Sequence, residues 1–254
     1  MLHGFPTWSI DYAELEGRLA SSRRVVTFDF LGFGSSDKPR RRYTIAEQAD
    51  IAEAVACHLD IRGCDVVAHD YGTIVAQELI RRRSESRDRI GIRRLVLLNA
   101  GIVFSEYRPT RKQAILSMPV VGALIAARAT REKVMGGLAR IFGPNTRPTT
   151  VQQQDMWYGI ALQNGHRLFH RLIHYNAERT VSASVWERAL ASTDVPTALV
   201  WGMADPVSGA HVLCAARKRY PAFSVTELVD IGHYPQVEAP DAVAAAIKTF
   251  VEAA

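Results

Sequence analysis

The chain has 254 residues, of which 48% are hydrophobic and 22% charged, and its formal net charge is +5 at pH 7. This length and composition fit a globular protein with a sizeable core and exclude a disordered, fibrous or disulfide-stapled chain. The arginine clusters contain no interleaved aromatic residues, so a nucleic acid is not an expected partner. The three cysteines have no metal-binding spacing, and no segment has the pattern of a signal peptide or membrane span. We therefore expect a cytoplasmic protein without a metal.

Short apolar runs rich in β-branched residues alternate with segments of helical periodicity. The predicted strands are residues 24–30, 64–70, 94–100, 197–201 and 224–230. The predicted helices are residues 44–59, 72–83, 210–219 and 240–251. This alternation predicts an α/β fold, with a mostly parallel sheet and helices on both of its faces.

Residues 105–191 interrupt the alternation. They contain repeated helical patterns and a Gly/Pro-rich turn at residues 142–148, but no strand-like run. We predict that they form a helical cap, inserted between a first part of the core at residues 1–104 and a second part at residues 192–254.

The junction between the predicted strand at residues 64–70 and the helix at residues 72–83 gives the clearest indication of a catalytic site. The predicted strand ends at Asp70, which small and polar residues flank in the sequence VVAHDYGT, and a helix follows directly. This is the pattern of a nucleophile elbow with aspartate in place of serine. The alternative is that Asp70 is only the N-cap of that helix, a position that aspartate often occupies.

Three further features agree with the elbow. Asp205 follows the strand at 197–201, and His233 follows the strand at 224–230. Because ligands and catalytic groups of open α/β sheets gather beyond the carboxyl ends of the strands, these residues are expected to meet Asp70. Near the start of the chain, the turn HGFP would direct the N–H of Phe5, together with that of Tyr71, at a developing oxyanion.

With these motifs, the chain resembles cap-bearing α/β-hydrolases that use an aspartate nucleophile, namely epoxide hydrolases, haloalkane dehalogenases and their relatives. HGFP, FDFLGFGSSDKP, HDYG, Asp205 and GHYPQVEAP match landmarks of that family over essentially the whole chain. The runs HDYGTIVAQEL and FGPNTRP bring the chain nearest to the mesoderm-specific-transcript-like hydrolases. The family has two or more strands before the HGFP turn, so the resemblance implies that N-terminal strands are missing from this sequence.

The resemblance also implies roles for residues. Asp70 would be the nucleophile, His233 the base and Asp205 its orienting carboxylate, while Phe5 and Tyr71 would form the oxyanion hole. Epoxide hydrolases use cap tyrosines as donors to the epoxide oxygen, and Tyr158 and Tyr175 are the candidates for substrate binding, although each is equally explained as a packing residue.

A carboxylate nucleophile suits displacement at a saturated carbon, which leaves an alkyl ester on the enzyme. Dehalogenases of this family place a halide-binding tryptophan after the nucleophile, where this chain has Tyr71. The expected function is therefore epoxide hydrolysis to a diol, without a cofactor, on a small apolar or amphipathic organic substrate. The alternatives are a haloalkane or haloacid dehalogenase and a catalytically idle binding protein of the same fold. The sequence leaves the oligomeric state open, including a homodimer.

Overall fold

The computed structural model describes residues 1–108 and 110–253, except for the side chain of Lys112. Its centre is a sheet of four parallel strands that pair in chain order. The strands are β1 (Cys64–His69), β2 (Ile92–Leu98), β3 (Thr197–Gly202) and β4 (Ser224–Leu228). Four of the five predicted strands are present, and their parallel arrangement is the one that the alternation of strands and helices indicates.

Helices surround the sheet, and each of the four predicted helices ends within one or two residues of its expected bounds. The α-helices are α1 (Ala13–Leu19), α2 (Ile45–His58), α3 (Tyr71–Ser84), α4 (Arg111–Leu116), α5 (Pro119–Ala127), α6 (Arg131–Leu138), α7 (Thr150–Ala161), α8 (Phe169–Leu172), α9 (Tyr175–Ala191), α10 (Ala210–Arg219), α11 (Pro235–Glu238) and α12 (Pro240–Ala253). Short 3₁₀ helices span Ser9–Tyr12, Phe104–Glu106 and Leu162–Leu168. The helix α1 has no counterpart among the sequence predictions.

Both faces of the sheet are buried along β1, β2 and β3, whereas the edge strand β4 is largely exposed. Successive side chains of a strand point to opposite faces. On β1, Val66 and Ala68 join a cluster with apolar residues of α2, α3 and α9. Val67, between them, joins a second cluster with residues of α1 and α12. The sheet therefore lies between two helical layers, and the polar residues that follow its strands are left at its carboxyl edge.

The predicted strand at residues 24–30 is wrong, since this segment forms neither strand nor helix. The amino group of Met1 donates to the carbonyl of Val26 at 2.7 Å. A cavity of about 480 Å³, lined by Val25, Phe28 and Val66 among others, separates the segment from β1. A β-branched sequence becomes a strand only where a neighbouring strand completes its ladder, and within the described residues none lies beside this segment.

Between β2 and β3, the described elements are all helical, as the sequence predicts for this region. The last of them, α9, returns to the core and packs against α3. Trp186 of α9 donates its indole N–H to the carboxylate of Glu78 on α3 at 2.9 Å, and both residues are buried. The helix that follows Asp70 is thus joined directly to the last helix of the insertion.

Candidate active site

Asp70 occupies a sharp turn between β1 and α3. Its backbone has φ 44° and ψ −110°, a conformation that a residue with a side chain adopts only under strain. Gly72, two residues after Asp70, donates its N–H to the carbonyl of His3 at 2.9 Å. A Cβ on Gly72 would lie 2.2 Å from the carbonyl oxygen of Leu2, so only glycine fits there. The turn therefore directs the Asp70 side chain out of the sheet at the carboxyl end of β1, which is the geometry of a nucleophile elbow.

The structure brings Asp70, Asp205 and His233 together, as the order of the strands predicts. The Nδ1 of His233 lies 2.7 Å from Oδ2 of Asp205, and its Nε2 lies 3.8 Å from Oδ1 of Asp70. All three residues are buried. The short contact to Asp205 places a proton on Nδ1, so that Nε2 is the nitrogen that faces Asp70.

Asp205 is held by more than the histidine. Its Oδ1 accepts the N–H of Val207 at 2.7 Å, and its Oδ2 accepts the hydroxyl of Ser208 at 2.7 Å and the side-chain amide of Asn99 at 3.0 Å. Burial raises the pKa of Asp205, but His233, Ser208 and Val207 together outweigh burial and lower it to about 2. Asp205 is therefore ionised at every pH near neutrality.

Asn99 follows β2, and no role was predicted for it from the sequence. In the structure, its amide bridges Asp205 and β3, because Nδ2 also donates to the carbonyl of Gly202 at 2.8 Å and Oδ1 accepts the N–H of Gly202 at 2.6 Å. An asparagine at the end of a strand is the one sequence signal that points to such a role.

His233 and Asp70 influence each other's pKa through their charges. Burial lowers the pKa of His233, but the charges of Asp205 and Asp70 raise it more strongly, to about 9. Burial raises the pKa of Asp70, while the charge of His233 and the N–H groups of Phe5 and Tyr71 oppose the rise. The charges of the two residues therefore stabilise each other, and with a pKa of about 9 the imidazole of His233 is protonated at neutral pH.

The two predicted oxyanion donors lie at this carboxylate. The N–H of Phe5 donates to Oδ2 of Asp70 at 3.0 Å, and that of Tyr71 belongs to the residue next in the chain. His3 fixes the preceding turn, since its Nδ1 lies 2.9 Å from the carbonyl of Gly4 and its Nε2 accepts the N–H of Phe30 at 3.0 Å. Two backbone donors thus converge on the side of Asp70 that Oδ2 occupies.

His69, which precedes Asp70, points away from it, as neighbours on a strand must. Its Nε2 lies 2.7 Å from the carbonyl oxygen of His233, and burial lowers its pKa well below the ordinary value. A neutral imidazole that donates to this carbonyl holds the loop that carries His233. His69 therefore acts on the site through the position of that loop.

The two cap tyrosines differ in placement. Tyr175 is 2% exposed, and its ring centroid lies 5.1 Å from that of Tyr71 and 6.1 Å from that of Phe5. Tyr158 is 62% exposed, and its ring packs on Trp8 at the surface. The structure brings Tyr175 to the site and leaves Tyr158 outside it, so a substrate contact by Tyr158 has no support. Successive residues of a helix point in different directions. The spacing of residues in the sequence did not show that Tyr158 lies on the exposed side of α7.

A group of three or more residues suited to a metal ion does not occur in residues 1–108 and 110–253. In the same part of the chain, no helix has the length and apolar character needed to cross a membrane. The cytoplasmic location and the homodimer remain predictions.

A parallel sheet whose first strand ends in a strained aspartate turn, with an acid and a histidine supplied after two later strands, defines an α/β hydrolase. The chain belongs to the alpha/beta hydrolase family, which it matches over residues 1–246. It is 38% identical over 254 residues to the putative hydrolase LipZ of Mycobacterium tuberculosis, covering 99% of this chain and 88% of that protein.

A similar degree of identity relates the chain to a human protein. The mesoderm-specific transcript homolog protein of Homo sapiens is 41% identical over 248 residues, which are 94% of this chain and 74% of that protein. Among solved structures, a loop variant of the haloalkane dehalogenase DbeA from Bradyrhizobium elkanii superposes with a TM-score of 0.79 at 24% identity, covering 99% and 89% of the two chains. These findings confirm the predicted fold and the predicted branch of α/β hydrolases.

Proposed function

We propose that this hydrolase attacks a saturated carbon through an aspartyl ester on Asp70 and converts an epoxide into a diol without a cofactor. One observation carries the proposal: a buried carboxylate on a strained elbow contacts both an oxyanion donor, the N–H of Phe5, and a histidine held by Asp205. A carboxylate is a poor agent for acyl transfer but a competent nucleophile toward carbon with a strained or good leaving group.

In the first half-reaction, Oδ1 of Asp70 forms a bond to an epoxide carbon and the carbon–oxygen bond of the ring breaks. The electron pair of that bond stays on the epoxide oxygen, which takes a proton. Tyr175 is the proposed donor, because burial raises the pKa of its phenol well above the ordinary value and keeps it protonated. The tyrosinate regains its proton from solvent before the next turnover.

In the second half-reaction, water hydrolyses the ester. Neutral His233 takes a proton from water through Nε2, and the resulting hydroxide adds to the carboxyl carbon of Asp70. Negative charge then collects on Oδ2, which faces the N–H groups of Phe5 and Tyr71. Collapse of this intermediate breaks the bond between the carboxyl carbon and the ester oxygen, the leaving alkoxide takes the proton from His233, and the diol departs.

Alkylation itself prepares the histidine for this step. The charge of Asp70 is one of the groups that raise the pKa of His233 to about 9 in the free enzyme. Once Asp70 is an ester, that charge is gone and the pKa of His233 falls. The imidazolium of the resting site can therefore lose its proton and become the base only after the first half-reaction.

The surroundings of the carboxylate favour a small apolar or amphipathic substrate, because the rings of Phe5, Tyr71, Phe169 and Tyr175 pack against one another there. We further propose that residues 105–191 act as the cap that excludes water from this site. Tyr175 opens α9, which packs on α3, so a cap residue and the elbow share one rigid contact.

Dehalogenation is the second candidate, favoured by the likeness of the fold to a haloalkane dehalogenase. A departing halide needs N–H donors that share its charge. Three of the four indole N–H groups are occupied elsewhere: Trp8 donates to the carbonyl of Asp155, Trp186 to Glu78 and Trp201 to the carbonyl of Ser208. This arrangement supports the epoxide over the halide.

The His233→Gln variant tests the proposal. Displacement needs only the carboxylate, while hydrolysis needs the base, so this variant should accumulate a covalent adduct with styrene oxide, detected by intact-protein mass spectrometry. The matched control is the same variant with Asp70→Asn, which should remain unlabelled. An adduct with 1-bromobutane but none with styrene oxide would move the assignment to a dehalogenase. An adduct that survives Asp70→Asn would remove Asp70 from the role of nucleophile.

A further inference from the structure

Arg179 lies one helical turn after Tyr175 and is 3% exposed. Its guanidinium carbon lies 4.3 Å from the ring centroid of Tyr107 and 4.9 Å from that of Phe104. One terminal nitrogen donates to the carbonyl of Gly101. A Cβ on Gly101 would lie 2.3 Å from that nitrogen, so glycine is required for this close approach. The guanidinium is therefore fixed between the cap and the end of the second sheet strand.

The charge of Arg179 lacks a carboxylate beside it. Its other hydrogen bond is to the neutral amide of Asn176 at 3.4 Å, and among the described residues no carboxylate oxygen lies within 4.0 Å of its guanidinium. The other buried arginine, Arg82, contacts both Glu78 and Glu53 at 3.0 Å. Since a buried cation is stable only when it is compensated, the site of Arg179 lacks an anion that the site of Arg82 contains.

Hydroxyl groups lie near the same guanidinium. The hydroxyl of Tyr107 is buried and has no hydrogen-bond partner. Tyr175, one turn before Arg179, is also buried. The charge of Asp70 reaches both phenols and adds to the effect of burial, which raises the pKa of each. The charge of Arg179 in turn opposes the rise in the pKa of Asp70. Two buried phenols and one buried guanidinium therefore lie within electrostatic reach of the nucleophile.

Formation of the ester intermediate removes a negative charge that offsets the charge of Arg179. In the free enzyme, the carboxylate of Asp70 partly offsets the charge of Arg179. When Asp70 becomes an ester, this negative charge is removed, and the charge of the buried guanidinium is offset less. A substrate that brings its own carboxylate would restore the balance, and a planar guanidinium with the hydroxyl of Tyr107 beside it is suited to bind one.

We propose that Arg179, with the hydroxyl of Tyr107, binds a carboxylate of the substrate, so that the substrate class is small epoxides of organic acids. This inference rests on the proposed attack by Asp70 and names the substrate for that same site. Arg179 thereby determines specificity and holds the reacting carbon beside Asp70 during alkylation.

Glycidate and glycidamide provide the test, because they share one epoxide and differ only in whether a carboxylate or a neutral amide is attached. In the His233→Gln background, glycidate should form the adduct on Asp70 at least about tenfold faster than glycidamide, measured by intact-protein mass spectrometry with peptide mapping. Without a cationic subsite the order would reverse, since Asp70 repels an anion. Equal or faster labelling by glycidamide therefore overturns the inference but leaves the proposed function standing. Failure of both probes in protein that styrene oxide labels also overturns the inference alone, whereas failure of all three epoxides overturns the proposed function as well.

Substitution of the arginine separates binding from packing. Added to His233→Gln, Arg179→Gln should slow glycidate by about tenfold or more and change glycidamide by less than about threefold, while Arg179→Lys retains part of the preference. The matched control is Arg188→Gln, an exposed position on the same helix that should alter neither rate. Equal slowing of both probes by Arg179→Gln would reduce Arg179 to a structural role. If that variant does not fold, protection of the His233→Gln protein by lactate but not lactamide gives the same answer, and equal protection overturns the inference.

Discussion

Replacement of Asp205 by asparagine should slow the second half-reaction and spare the first. The substitution keeps the size of the side chain and one of its two oxygens, so that it can accept from either Val207 or Asn99, which donate to different oxygens of Asp205. It removes the charge that faces Nδ1 of His233. Attack by Asp70 on the substrate needs no base, whereas activation of water does. The loss should therefore appear in hydrolysis of the ester.

The size of the loss follows from the pKa of His233. That pKa is about 9, against 6.5 for an unperturbed histidine. The difference corresponds to between about 3 and 4 kcal/mol of preferential stabilisation of the imidazolium, or roughly a factor of 300 in rate. Because Asp70 and Glu238 supply part of it, electrostatics alone predict a loss between about 10-fold and roughly 300-fold.

Rapid-quench mass spectrometry with an epoxide that the wild type turns over separates the two half-reactions. The Asp205→Asn variant should form the ester at a wild-type rate and hydrolyse it at least about tenfold more slowly. Asp241→Asn is the matched control, because Asp241 is an exposed partner of Arg18 on α12. Hydrolysis at the wild-type rate in the Asp205 variant would show that the acid has been misassigned.

Four further outcomes are expected. Asp70→Asn should abolish diol formation, and residual turnover above about 1% would exclude it as nucleophile. The pKa of His233 is about 9 in the free enzyme, and an esterified Asp70 no longer contributes to raising it. Single-turnover hydrolysis should therefore increase with pH and level off below pH 9; a rate independent of pH between 6 and 9 would contradict this. Tyr175→Phe should slow alkylation more than hydrolysis in stopped-flow measurements, and an unchanged rate would return Tyr175 to packing. Arg82→Met should lower the free energy of unfolding by about 3 kcal/mol in urea, because it leaves the buried carboxylate of Glu53 without a cation, while Glu78 keeps Arg81 and Trp186; a change below about 1 kcal/mol would disprove that.

The sequence predicts the centre of this molecule well, because local patterns and global packing agree there. The strand before Asp70 has an apolar centre, the following helix starts at once, and two later strands end before Asp205 and His233. In a parallel sheet, these facts are sufficient to place all three residues at one edge. The failed strand at residues 24–30 has an equally suitable composition, but a strand also depends on a partner that composition does not reveal.

The cap was less predictable, for a related physical reason. Tyr158 and Tyr175 are both candidates in the sequence, with Tyr175 the stronger, and only the packing of α7 and α9 shows that one is exposed and the other buried. Asn99 and Arg179 were overlooked as contributors because their effects depend on neighbours distant in the chain. Asn99 meets Asp205 across the sheet edge, and Arg179 meets the carbonyl of Gly101 across the junction of cap and core.

In the proposed mechanism, Asp70 supplies the oxygen atom that enters the diol in the first turnover, and labelling with isotopic oxygen tests this most directly. A single turnover of excess enzyme with an epoxide in H₂¹⁸O should give a diol whose new oxygen is ¹⁶O, while the peptide that contains Asp70 gains about 2 Da, because water attacks the carboxyl carbon of the ester. If the diol carries ¹⁸O and Asp70 remains unlabelled after that first turnover, water has attacked the substrate directly and the ester mechanism is contradicted.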